Sequence, residues 1–515
     1  MLPPLLKTIT QQNLITMKKI TLILVLAICF TPTYSQSNPS IDLLFRNSYK
    51  VFELQRLPNG MYRDSKLLSG NDYHPISAAN TGMGLVAICI ADAMGWITNG
   101  QDLALATLKT ATGHTQGFTP DRTSNGYYRH FMDIDTGQQA WGSEYSTIDT
   151  DILMSGALFA MKYFKNDEIT KYALEMWNSI NFESAISDAS GGAIYLSMNA
   201  NGTGISGSAW PYNEYMIAAW LAKNASQTPT GPGNVLWNNN YSSSTQLPKV
   251  NYNSIPVLSD NATRFMPSFT HQFNYYLCNY FTTSNEYMVF FKNAQQADLE
   301  WWNNMGGNTY QWGCGAGSAI SSSYHADAIN DNPDEIVSPH IIAGFIPVNP
   351  NSKNDLIALW NNNKGKYLLP NSTDPILWRH SVSNPTWVPN EIIGVDFSTM
   401  LFGIATLPEY LGASFFSTNN AFFPLPTPTL SVSSFNSNTI KVYPNPFVNT
   451  FKLELEETHK NVSVNINDLT GKSVYNKTFS ELKDLDIQLK NMSSGLYIID
   501  VRQNGESRKF KVLKK

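Results

Sequence analysis

The segment Trp141-Gly142-Ser143-Glu144-Tyr145-Ser146-Thr147-Ile148-Asp149-Thr150-Asp151 sets three carboxylates beside a Trp and a Tyr, directly ahead of an apolar run from Ile152 to Phe164. Further along, Trp210-Pro211-Tyr212-Asn213-Glu214-Tyr215 crowds another acid with rings, and Gly394-Val395-Asp396 opens the last apolar stretch. Acids for proton transfer among aromatic faces are what cleavage of a glycosidic bond requires. That bond breaks through an oxocarbenium-like transition state, so one carboxyl protonates the leaving oxygen while a second activates water or stabilises charge.

Glu214 is the first choice for the acid, because Trp210, Tyr212 and Tyr215 partly desolvate it and desolvation raises a carboxyl pKa. Pro211 reads as a first helical residue, which puts Glu214 one turn in. Glu144 is the second choice, just ahead of a helix N-terminus. Asp149 or Asp396 would activate water, with acid and base about 6.5 to 9.5 Å apart in an inverting arrangement. Asp149 has a structural reading too, since Ser146-x-x-Asp149 is an acidic version of a capping box, worth about 1 kcal/mol. Asp151 complements the helix dipole. Trp141 offers a sugar-stacking face, and His271-Gln272 either bonds sugar hydroxyls or is satisfied within a helical core. Tyr324-His325-Ala326-Asp327 lacks a third and fourth ligand at recognisable spacing. The run from Asp327 to Glu335 lacks the Gly and terminal Glu of a calcium loop. Neither metal nor cofactor is expected.

These residues need a scaffold, and apolar recurrence between Ile41 and Leu411 predicts one of helices, over 41–54, 78–96, 101–113, 146–164, 166–180, 211–223, 270–283, 286–303, 323–329, 337–346, 352–363 and 394–410. Stretches 81–94 and 152–164 are apolar almost all round, so other helices must sheathe them. Two concentric helix rings achieve that. Long Gly/Asn/Ser-rich stretches at 187–209, with a hairpin around Ala193–Met198, and at 227–262 could wall a cleft.

With a net charge of -5, 15% charged residues and no central basic block, the chain does not suit nucleic acid. A neutral polymer fits better, and 12% aromatic residues suit a carbohydrate surface. Lys18-Lys19 ahead of apolar Ile20–Phe30 reads as an export signal over residues 1–35, with Met17 as the start. Its apolar run is short of the roughly 20 residues of a transmembrane anchor. Cys89, Cys278 and Cys314 then remain, an odd and widely spaced set expected as buried thiols. Residues 37–423 form the main domain and Pro-rich, Ser-rich 424–438 a linker. Residues 439–515 form a small β-sandwich. Val442-Tyr443-Pro444-Asn445-Pro446, Asp468-Leu469-Thr470-Gly471-Lys472, Ser494-Gly495-Leu496-Tyr497 and the basic ending from Lys509 to Lys515 make this tail resemble the C-terminal sorting domain of type IX secretion. That implies partnership with the secretion machinery and a secreted or cell-surface location.

Gly126-Tyr127-Tyr128-Arg129-His130-Phe131-Met132-Asp133, the Glu144–Thr150 and Trp210–Met216 segments, His271-Gln272, Trp312-Gly313 and Gly394-Val395-Asp396 follow one another in an order that resembles the glucoamylase-like family, including the endo-β-1,2-glucanases of glycoside hydrolase family 144. The resemblance implies an all-α (α/α)6 barrel that hydrolyses a β-glucan with inversion. It implies sugar contacts at Trp141, Tyr212, Tyr215, His271, Gln272, Trp312 and His130. Phe397-Ser398-Thr399 and Asn279-Tyr280-Phe281 depart from the family pattern and bear on linkage specificity. Two alternatives stand beside this reading: an exo-acting or α-glucan hydrolase on the same fold, and a surface glycan-binding protein without catalysis.

Overall fold

The computed structural model describes residues 38–69, 73–426, 440–503 and 506–515. The expected export signal at 1–35, and the expected linker from residue 427 onward, lie outside the described residues. Packing divides the chain into two compact units that meet between Leu425 and Pro426.

In the first unit the helices are, in chain order, α1 (Pro39–Gln55), α2 (Ala78–Ala93), α3 (Gly100–Ala111), α4 (Thr147–Phe164), α5 (Asp167–Ser179), α6 (Met216–Ala225) and α7 (Pro232–Asn240). They continue as α8 (Ser268–Leu277), α9 (Asn279–Thr283), α10 (Asn285–Asn304), α11 (Pro339–Gly344), α12 (Ser352–Asn361), α13 (Gly394–Ala405) and α14 (Ser414–Asn419). Helices α2, α4, α6, α8, α11 and α13 pack each on the next, and α13 returns to α2, so they close an inner ring. Their sequences explain the position: α2 and α4 bury residues on every side, as apolar all-round helices must. Gly82 and Gly156 bring these two backbone to backbone, because a Cβ on Gly156 would lie 2.2 Å from the Gly82 carbonyl oxygen. Helices α1, α3, α5, α7, α10 and α12 lie against the ring from outside. Helix α5 shows why: Ile169, Tyr172, Ala173, Leu174 and Met176 are buried while its remaining residues face out.

Several predicted elements differ. The helix expected over 211–223 starts only at Met216, with 211–215 a turn, so Glu214 precedes the helix instead of standing one turn inside it. The segment 270–283 breaks at Cys278, whose backbone is extended, into α8 and α9. No helix forms over 323–329; His325–Ala326 pairs as a strand with Ala316–Gly317, because Asp327 is drawn to Arg379 and His325. The stretch 227–262 holds α7 and the hairpin Lys249–Tyr252/Ile255–Leu258. The stretch 187–209 forms a small sheet and also docks Ser197–Met198 on Tyr145–Ser146, bracing the segment between Glu144 and Asp149.

Cys89, Cys278 and Cys314 are buried free thiols, as expected, and burial pushes each well above the ordinary thiol value.

The second unit is one five-stranded antiparallel sheet rather than two separate stacked ones. Strands Thr450–Asp468 and Ser473–Gln488 run its length with a register shift between Glu454 and His459. Ile440–Tyr443 flanks one half and Gly495–Gln503 the other, and Glu506–Lys514 pairs outside the latter. Residues from both halves, among them Leu453, Val464, Ile487 and Ile499, share one core.

Candidate active site

Asp149 and Asp396 lie in the first turns of α4 and α13, Glu214 sits two residues ahead of α6, and Glu144 three ahead of α4. Acids are favoured at helix N-termini by the unpaired N–H groups and the macrodipole. The Ser146 hydroxyl caps α4 by accepting the Asp149 N–H at 3.2 Å, but the Ser146 N–H donates to the Tyr128 carbonyl. The capping box is therefore only half made, and the Asp149 carboxylate is directed elsewhere.

It faces His130. The His130 Nδ1 donates to Glu144 Oε1 at 3.0 Å, and Nε2 stands 3.6 Å from Asp149 Oδ1. The imidazole stacks on Phe131, with centroids 3.8 Å apart. Burial works against its charge, but Asp149, Glu144 and Asp64 outweigh that and raise it to about 9. The hydrogen bond from His130 in turn holds the Glu144 carboxyl below its usual value, and Glu144 remains exposed. A carboxyl held toward its charged form is less suited to give up a proton, which weighs against Glu144, the second candidate for proton donor.

Glu214 is the opposite case. Desolvation raises its carboxyl, and the charges of Asp149 and Asp260 push it further. Asp396 is buried, its Oδ2 has no hydrogen-bond partner among the described residues, and its Oδ1 lies 3.5 Å from the Tyr324 hydroxyl. Burial raises Asp396 to about 7 although Arg379 opposes the rise.

A further acid, Asp64, went unnoticed in the sequence. Its carbonyl accepts the Gly394 N–H at 2.8 Å, which ties it to the start of α13. Burial raises its carboxyl to about 7, with His130 opposing and Glu391, Asp396 and Asp149 adding to the rise. Asp64 stands in Tyr62-Arg63-Asp64-Ser65, with one ring two residues back and no helix start beside it, so little local signal marks it. The charges of Asp149 and Asp396 reach Asp64, and that of Asp149 reaches Glu214, so these four acids lie near one another, and Glu144 joins them through His130.

Aromatic groups divide into rim and wall. Trp141 is 58% exposed at φ 52°, a left-handed conformation that costs a side-chain-bearing residue about 1 kcal/mol or more. Its ring is held out by edge contacts with Phe131 at 5.2 Å and His74 at 5.8 Å. Trp210, beside Glu214, is 50% exposed. Tyr212 and Tyr215 are buried behind Glu214, and the Tyr212 hydroxyl bonds His271 Nδ1 at 2.9 Å. Burial lowers His271 to about 3, so it is neutral.

Gln272 and Trp312 are corrected as sugar contacts. Gln272 is wholly buried and donates to the Ile341 carbonyl between α8 and α11. Trp312 is equally buried and donates to Asp355 of α12 at 2.9 Å.

Among the described residues, His130, Glu144 and Asp149 are also a group whose donor atoms lie close enough, all within 4.8 Å, to hold a metal ion. The two carboxylates of this group face the two ring nitrogens of His130, at 3.0 and 3.6 Å.

Comparison with known proteins bears on both units. Residues 441–515 match the family model of the secretion system C-terminal sorting domain. The chain therefore carries a type IX sorting tail and is directed to the cell surface or outside. No helix among the described residues is long and apolar enough to cross a membrane. No curated protein matches the sequence. Among solved structures, the first unit is similar to an endo-β-1,2-glucanase from Chitinophaga pinensis, in complex with sophorotriose and glucose, at 16% identity and TM-score 0.61, covering 74% of this chain and 96% of that one. A glucoamylase-like protein from Bacteroides fragilis is similar at 18% identity and TM-score 0.62, over 76% of this chain and 98% of that one. A β-1,2-glucanase from Parabacteroides distasonis is similar at 16% identity and TM-score 0.60, over 75% of this chain and 59% of that one. At these identities the likeness establishes the fold: six inner and six outer helices, an (α/α)6 barrel, as the sequence predicts.

Proposed function

We propose that this protein is a secreted, inverting glycoside hydrolase acting within β-1,2-glucan or a related β-glucan. The single observation that carries the reading is the placing of Glu214, just ahead of α6, and Asp149, in the first turn of α4, at the N-terminal ends of two inner helices that pack on each other, near enough for the charge of Asp149 to raise the Glu214 carboxyl. Glu214 protonates the leaving glycosidic oxygen. Asp149 accepts the proton of the attacking water: it stands in the first turn of α4, 3.6 Å from Nε2 of His130. Asp396, the other candidate base, is buried and raised to about 7, so near neutrality much of it still carries the proton that a base must lack. Trp141, packed on Phe131 next to His130, and Trp210, four residues ahead of Glu214, expose ring faces on which glucosyl rings can stack.

The β-1,2 linkage is supported by the glucanases named above and by no contact of this chain. The test is direct. The purified protein is incubated with β-1,2-, β-1,3-, β-1,4- and α-1,4-glucans, and the anomer first released is followed. Early mixed oligosaccharides of inverted configuration from the β-1,2 polymer are expected. A single small product from chain ends replaces endo with exo action, and saturable binding without new reducing ends replaces the enzyme with a glycan-binding protein.

A further inference from the structure

We propose that His130 is a positioning residue of this reaction, its imidazole set between Glu144 and Asp149 so as to fix the direction of the Asp149 carboxylate toward the attacking water. The inference rests on the reading of Asp149 as the base. It replaces the expectation that His130 binds sugar, because both ring nitrogens already face carboxylates, at 3.0 and 3.6 Å.

The residue is anchored through both of its backbone polar groups and through one face of its ring. The His130 N–H donates to the Glu144 carbonyl at 2.9 Å, and its carbonyl accepts the Ala78 N–H at 3.1 Å, which ties it to the first residue of α2. Phe131 stacks on one face of the imidazole, and Trp141 in turn packs on Phe131. Two carboxylates this close repel one another unless a cation lies between them. The neighbouring Arg129 is committed elsewhere: its Nε donates to Asp121 at 2.8 Å, its Nη1 to the Ser143 carbonyl at 2.8 Å, and its guanidinium lies over the Tyr145 ring. His130 is left to do it.

The charged groups that face His130 are Glu144 from its own loop, Asp149 from α4 and Asp64 from the segment ahead of Ser65–Leu67. All three are acidic, so the proton is retained to about pH 9 against the cost of burial. Above that the ring keeps one N–H for two acceptors. The hydrogen bond to Glu144 is the shorter, so Asp149 is the partner released.

Nitrogen-15 NMR of imidazole-labelled full-length protein, with His130 assigned by its absence in His130→Gln, tests the inference without any substrate. Titration near pH 9 is expected, falling back toward the ordinary imidazole range in Glu144→Gln and in Asp149→Asn. Titration at the ordinary value in the wild type overturns the proposal. Kinetics give a second readout: with an aryl glycoside whose leaving group needs no protonation, His130→Gln lowers kcat on the order of 10²-fold with KM little changed, and removes the fall in rate above pH 9. A raised KM at unchanged kcat makes His130 a sugar ligand and overturns it as well. Should His130→Gln fail to fold, the titration shifts in the two carboxyl variants still decide. Wild-type turnover by Glu214→Gln defeats the acid assignment and leaves the His130 titration untouched, so the two failures are separable.

Discussion

At Glu144 a carboxylate keeps contact with solvent and receives a charged hydrogen bond from His130, which holds it below its usual range. At Glu214 the same functional group is desolvated, receives no cation, and feels the charges of Asp149 and Asp260, which drive it upward. Both residues sit beside a Trp and just ahead of an inner helix. Their different proton affinities come from the surroundings: a cation partner at Glu144, desolvation and like charges at Glu214. An enzyme that needs one carboxyl protonated and another ionised at the same pH obtains both this way.

The contrast is broken most severely by Glu214→Gln, which is expected to lower kcat by about 10³-fold with KM nearly constant, measured as reducing ends released from β-1,2-glucan. Unchanged turnover there moves the acid elsewhere.

Asp149→Asn should cost on the order of 10²-fold or more in kcat across the pH range. Asp396→Asn should cost less, if Asp149 is the base. A reversed order of the two variants exchanges their roles.

Stability against pH sharpens the comparison from the dry side. Asp396 binds its proton at about 7 when folded against 3.8 as an ordinary side chain, so the folded state holds the extra proton between those values. Its contribution to stability is complete below about pH 4 and is lost as pH rises through 7. Thermal unfolding should therefore show Asp396→Asn gaining relative to wild type between pH 5 and 8, with less loss of stability across that span. Parallel curves for the two proteins refute the burial argument for Asp396.

Trp141→Ala should raise KM by a few-fold to about tenfold while kcat holds, as expected for one stacking surface at the rim. The smallest effect is expected from a chelator. Exhaustive dialysis against one should leave activity unchanged, because His130 and not a metal balances Glu144 and Asp149; activity restored by a particular divalent ion overturns that assignment.

How much of this was legible beforehand depended on whether the signal was local. All-round apolarity identifies α2 and α4 as inner helices, and the rings around Glu214 in sequence suffice to make it the acid proposed above. Gln272 and Trp312 were misplaced because a polar or aromatic residue in a helical pattern looks the same whether it faces a cleft or an adjacent helix; only packing against Ile341 and Asp355 distinguishes the two. The expected helix over 323–329 failed for a similar reason, since Arg379, some fifty residues later, captures Asp327. Asp64 was unreadable: its partners Asp149, Asp396 and Glu391 come from distant parts of the chain.

The sequence by itself determined the alternation of sheathed and sheathing helices, the acids at their N-terminal ends and the ordered motifs of the sorting tail, because periodicity, capping and short motifs act over a few residues. Closure of the ring decided the rest. It chose which carboxyls lose water and which meet a cation, and proton affinity follows from those long-range neighbours, which no stretch of the chain contains on its own.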